Sequence, residues 1–140
     1  MDRVRKYRAW DGDKMLPWEA IESWHFNWIS SHLYKFMDFT GKKAHNGRDI
    51  YEGDILFFEE ERDNGDVRNY VVVVWIEEWA MFAHLLIPEY NAYLSKGAEA
   101  IDETMFWTYT MDIDSEDYHY AGNIFENPDL LMFNGHEEEE

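Results

Sequence analysis

Apolar and polar positions along the chain change period several times, and each change marks a candidate element. Residues 3–9 alternate as a short strand with Val4 and Tyr7 inward, and Asp11-Gly12-Asp13 follows as a turn. From Pro17 to about Tyr34 the apolar side chains recur as Trp18, Ile21, Trp24 and Trp28, with Ile29 and Leu33 beside them. That spacing predicts an amphipathic helix with Pro17 near its first turn and a break at Ser30-Ser31; an irregular aromatic strand is the alternative. Near-alternation returns from Leu33 to Phe39 and runs into Thr40-Gly41.

The middle of the chain is strand-rich. Asn46-Gly47 is a strong turn dipeptide, and Gly53 supplies a second bend just before Asp54. Ile55 to Glu61 and Val67 to Ile76 read as strands joined across Asp63-Asn64-Gly65. The β-branched run Val71 to Val74 predicts a strand buried on both faces. Trp79 to Ile87 should pair back after a tight Glu77-Glu78 turn. Residues 88–104 read as an insert of helical character broken near Gly97. A strand at Met105 to Met111, an acidic loop at Asp112 to Asp117 and a strand at His119 to Phe125 follow. Asn127-Pro128 then opens a short helix, Asp129 to Met132. Short strands with glycine-containing turns predict a mainly β protein, a small antiparallel barrel or sandwich with helical insertions (α+β overall). The 55–61 and 67–76 hairpin should close near Gly122-Asn123-Ile124.

Composition adds the class. Hydrophobic residues make up 46% of the 140 and aromatics 18%, enough for one packed domain and too much for a disordered chain. With no cysteine, a disulfide scaffold, a thiol nucleophile and Cys-ligated metal centres are excluded. No uncharged apolar run approaches the roughly 20 residues of a membrane span. The opening MDRVRKYRAW has no apolar signal core, so a cytosolic location is expected.

Charge changes the picture more. The formal net charge is −18, unevenly spread. Residues 1–48 hold nine basic and six acidic side chains, a net of +3, whereas residues 49–140 hold three and twenty-four, a net of −21. Such a surface repels phosphate backbones, so direct DNA or RNA binding is not expected. The acidic face either serves solubility or occupies a basic site on a partner, such as one built for DNA.

No catalytic constellation emerges: nucleophile-elbow, phosphate-loop, zinc-protease and dinucleotide motifs are all missing. His25, His32, His45, His84, His119 and His136 show no metal-ligand spacing. Asp112, Asp114 and Glu116 resemble the start of a calcium loop, but Asp117 stands where the sharp-turn glycine belongs and Asn123 replaces the bidentate glutamate. No enzyme, metal or cofactor is expected. Seven tryptophans are more than one small core holds easily, and Trp18, Trp24 and Trp28 form the best candidate for an exposed patch.

Three segments carry a resemblance. Tyr7 to Met15 (YRAWDGDKM), Phe39 to Leu56 (FTGKKAHNGRDIYEGDIL) and Gly122 to Leu131 (GNIFENPDLL) resemble, in order and spacing, the YopX family of bacteriophage and prophage proteins. The resemblance implies an SH3-like barrel and self-association, with one domain over residues 1–136, inserts near 18–32 and 88–104, and a solvated acidic tail at 137–140. It implies no general activity. The motif residues also have a physical reading. Gly41, Gly47, Gly53 and Gly122 suit sharp turns or close backbone approach. Tyr51, Ile55 and Ile124 suit the core, and Asp54 and Asn123 suit the capping of loop backbone. Glu52 and Glu126 could pair with Arg8 or Arg48.

The leading expectation is a non-enzymatic phage or prophage accessory protein of the bacterial cytoplasm that binds a macromolecular partner, in one form as an acidic mimic of DNA. Its candidate contact residues are Trp18, Trp24, Trp28, Asp112, Asp114, Glu116 and Asp117. The alternative is a homo-oligomeric nucleotide-binding protein whose Lys42, Lys43 and Arg48 grip phosphates.

Overall fold

Two antiparallel sheets share one continuous path of chain through Glu52-Gly53 in the computed structural model, which describes residues 6–22, 34–100, 117–132 and the backbone of 136–138. The first sheet has the order β2 (Met15–Leu16), β1 (Tyr7–Trp10), β3 (Lys35–Lys43), β4 (Asp49–Tyr51). The second runs β7 (Met81–Leu86), β6 (Gly65–Ile76), β5 (Asp54–Arg62), β8 (His119–Asn123), with β9 (His136–Glu138) also on β6. The fold is a small, curled, mainly β barrel with helical insertions. A short helix α1 (Trp18–Ile21) follows Pro17, and α2 (Ile87–Lys96) follows β7. The predicted helix beyond Glu22 and the predicted strand at 105–111 lie outside the described residues.

The hairpin stands where the pattern places it. Arg62 pairs with Gly65, leaving Asp63-Asn64 as the turn, and Ile55 pairs with Val72 at the other end. Closure onto the last motif is also present, with Asp54 opposite Asn123 and Ile55 opposite Gly122. Strand β6 is central because its valines serve two cores. Val72 and Val74 join Ile55, Leu85 and Ile87 under α2, while Val71 and Val73 join Ile50, Leu56 and Tyr118 on the opposite face. Each such side chain contributes about 1.5–3 kcal/mol when fully buried. That accounts for a run of four β-branched residues with no polar alternation.

Local chemistry sets the element ends. Asp11 Oδ1 accepts from the backbone N–H of Asp13 and Lys14, both at 2.8 Å, so the predicted turn is a side-chain-capped one. In α2, Pro88 occupies the first turn, Glu89 accepts from the Leu86 N–H at 3.3 Å, and Gly97 at φ 74° ends the helix. In β3 a bulge lies between Phe39 and Lys43, where Gly41 takes φ 88° and Thr40 donates to the Ile50 carbonyl at 2.8 Å. The backbone of His136–Glu138 adds to β6 beside Val67 to Asn69, so the expected domain end at 136 falls inside a strand. A run of four glutamates says nothing about pairing, whereas the open edge of β6 at these residues offers backbone partners.

Candidate functional site

The family-like motifs converge where the sheets meet. Gly53, at φ 87°, donates its N–H to the Val73 carbonyl at 2.8 Å and accepts from the Ile124 N–H at 2.9 Å. A Cβ there would sit 3.3 Å from Met37 Sδ, so the close approach and the backbone angle both call for glycine. Beside it, Arg8 Nη1 lies 2.7 Å from Asp54 Oδ1, with both side chains almost fully buried. Asp54 also accepts from the Tyr51 N–H at 2.8 Å, and Arg8 donates to the Glu52 carbonyl at 3.2 Å. Burial pushes the Asp54 carboxyl up to about 6, against the pull of Arg8, the Tyr51 amide and Arg48.

The closing motif builds its own turn. Asn123 Oδ1 accepts from the N–H groups of Phe125 at 3.0 Å and Glu126 at 2.8 Å, and its amide donates to Glu126 Oε1 at 2.7 Å. Asn127 Oδ1 accepts from the Asn123 N–H at 3.1 Å, in the space a Gly122 Cβ would need, only 2.2 Å away. The expected capping roles of Asp54 and Asn123 are therefore present. The expected pairing of Glu52 and Glu126 with arginine is not: Arg8 is held by Asp54, and Glu126 by Asn123. The almost fully buried Asp54 carboxylate, two residues from the half-buried Glu52, takes the Arg8 guanidinium.

Above this junction lies a cavity of about 420 Å³ lined by Arg8, Glu19, Arg48, Asp49, Tyr120 and Glu126 among others. Of the candidate phosphate-gripping residues only Arg48 lines it, packed over the Tyr120 ring at 3.6 Å. Lys43 is bound to Asp49 at 2.7 Å, Lys6 contacts the same carboxylate, and Lys42 is exposed. Burial works against the charge of Asp49, but the two lysines outweigh it and hold the carboxyl below its ordinary value. Three carboxylates face two arginines in this cavity, one of them already paired, which opposes a phosphate guest.

The acidic surface that the structure describes is a different one. Every residue from Glu59 to Asp66 is exposed, so both faces of the β5–β6 ribbon are in solvent at its tip. Glu60 pairs with Arg62 at 2.8 Å and Glu59 with Arg68 at 3.5 Å, whereas Glu61, Asp63 and Asp66 form no ion pair among the described residues. Among the expected contact residues, Trp18 is half-buried in α1, edge-on to Tyr7 at 4.9 Å, and Asp117 is exposed. Trp24, Trp28, Asp112, Asp114 and Glu116 lie outside the described residues.

Among the described residues the exposed tryptophan is Trp75, which its place in a valine-rich strand gave no reason to select. The ribbon was not among the expected contact residues; Glu59-Glu60-Glu61 in a strand does not by itself say that both faces stay in water. Among the described residues no three His, Asp or Glu side chains converge as a metal site, and no helix is long and apolar enough to cross a membrane.

The comparisons agree with this frame. A family model described as YopX protein matches residues 19–132, a span that holds the second and third motifs and leaves Tyr7 to Met15 outside. The fold is similar to the crystal structure of protein EF1440 from Enterococcus faecalis, with a TM-score of 0.53 and 20% identity over 93% of this chain and 99% of that one. No curated protein sequence matches it.

Proposed function

This chain belongs to the YopX family, and we propose that it is a non-enzymatic phage or prophage accessory protein that binds a macromolecular partner in the bacterial cytoplasm. The observation that carries this reading is the β5–β6 ribbon, where Glu61, Asp63 and Asp66 stand exposed on both faces with no ion pair among the described residues. Carboxylates left unneutralised on a projecting ribbon fit a basic surface, and in its sharpest form the protein occupies a DNA-binding site as an acidic mimic. The acidic candidates Asp112, Asp114, Glu116 and Asp117 would add charge of the same sign to that contact. Self-association accompanies this reading, opposed by subunit repulsion that salt screens.

The experiment is competition. A basic DNA-binding partner recovered from host lysate should lose its DNA when this protein is added. Reversing Glu61, Asp63 and Asp66 to lysine should abolish that effect, and replacing Lys42, Lys43 and Arg48 should spare it. The alternative, a homo-oligomeric nucleotide binder, requires the opposite pattern and a rise in melting temperature with nucleotide. The paired state of Lys43 and the carboxylates around Arg48 favour it less.

A further inference from the structure

We infer that the aromatic groove between α2 and the barrel is a recognition site for a cationic side chain, arginine or lysine, presented by a basic protein partner. The groove measures about 350 Å³ and opens between β3, β6 and α2. Phe36, Trp75, Tyr90, Tyr93 and Phe125 line it, and one carboxylate, Glu52, stands among them. Glu52 is half-buried and forms no ion pair among the described residues. Glu52 lines the groove together with Tyr90 and Tyr93 of α2, and after burial itself its charge is among the causes that raise the hydroxyl pKa of both.

Desolvation dominates at Glu52 and pushes its carboxyl up; the Asp38 amide and Arg8 oppose this, and the Asp38 charge adds to it. A cation entering the groove restores the stabilisation that burial removed, and the ring faces attract it as well. A neutral guest supplies neither. The exposed Trp75 and Leu94, 36% and 63% accessible, line the groove and would cover an aliphatic stem. The opposing group is Lys35, which also lines the groove, is exposed, and has no ion pair among the described residues. The volume lies near the lower end of ligand sites, roughly 300–1,000 Å³, and suits one long side chain. With a net charge of −18, the whole protein steers cations toward such a site. This inference rests on the binding reading above only for the carrier of the cation; the groove's own chemistry is independent of the ribbon.

The full chain titrated with N-acetyl-arginine amide, and with N-acetyl-citrulline amide as the neutral isostere, tests it through the amide shifts of Gly53, Val73 and Trp75. The arginine probe should move these amides saturably, and citrulline should bind at least about ten-fold more weakly. Glu52→Gln keeps the shape of the side chain and should weaken arginine by about ten-fold without changing citrulline. Lys35→Met should tighten arginine several-fold. Equal affinity for the two probes, absence of saturable shifts, or an arginine affinity indifferent to Glu52→Gln would each overturn the site. The ribbon reversal separates the two readings: it should abolish competition for the partner and leave the arginine titration unmoved. A partner whose capture survives Glu52→Gln undiminished would overturn the assignment of that partner as the carrier.

Discussion

Strands β5 and β6 begin and end in opposite environments. At one end, Asp54, Gly53 and Val73 lie in the junction of the two sheets, where Arg8, Asn123 and the backbone of Ile124 answer their polar groups. At the other end, Glu59 to Asp66 belong to the same two strands and are exposed on both faces. The junction holds the motif residues, and the ribbon holds carboxylates, Glu61, Asp63 and Asp66, with no ion pair among the described residues. A buried ion pair tolerates almost no substitution, because removing one partner strands the other without water. An exposed carboxylate tolerates nearly any, because water and salt replace its neighbours. Conformational necessity and candidate recognition are thus separated along a single hairpin, and a variant at one end should leave the property of the other untouched.

The largest expected effect is at the junction. Asp54→Ala leaves the Arg8 guanidinium buried and unpaired, and urea unfolding should show a loss of about 3–5 kcal/mol. A loss below about 1 kcal/mol would mean that water reaches the pair and that the contrast with the ribbon is overdrawn. Gly122→Ala comes next. Its Cβ would need the space of Asn127 Oδ1, so the closing turn must open and stability should fall by about 2–3 kcal/mol. The double variant with Asn127→Ala should lose less than the sum of the two single losses if this clash is the cause.

A pH measurement probes the core between the two ends. His84 is buried with its Nε2 3.0 Å from the Tyr118 hydroxyl, and burial lowers its pKa to about 4 from an ordinary 6.5. The folded state therefore binds fewer protons than the unfolded chain in this window. Its contribution is complete above pH 6.5 and is lost as pH falls toward 4, on the order of 1–3 kcal/mol in all. Asp54, raised by burial to about 6, acts in the opposite sense, with stability present at low pH and lost as pH rises through 6. Comparing wild type with His84→Gln isolates the histidine: the difference in their unfolding free energies should change between pH 6.5 and 4. A constant difference would show that His84 is protonated without cost.

The smallest effect on stability belongs to the ribbon. Reversing Glu61, Asp63 and Asp66 to lysine should change unfolding free energy by less than about 0.5 kcal/mol per site while abolishing partner competition. A large loss of stability from these exposed positions would tie the ribbon to the fold after all.

Much of the frame was legible from residue type and order. Asn46 at φ 71° and Gly53 at φ 87° adopt backbone angles that their residue types announce. The Val71 to Val74 run declares a strand with two buried faces, and its neighbours place the hairpin within two residues. Asp54 and Asn123 were recognisable as capping groups because a short polar side chain reaches backbone two or three residues away. These are local consequences, set by sterics and by the alternation of side chains along a strand. Partnerships between distant elements were not. That Arg8 belongs to Asp54, that Lys43 is occupied by Asp49, and that Glu52 lies among rings from β6 and α2 with no ion pair among the described residues depend on which strands adjoin and in what register. Residue identity sets what each group needs, a cation, a proton or water, and only the packing of the two sheets decides which of those it finds, because Coulomb and desolvation energies act over a few ångströms of space rather than along the chain.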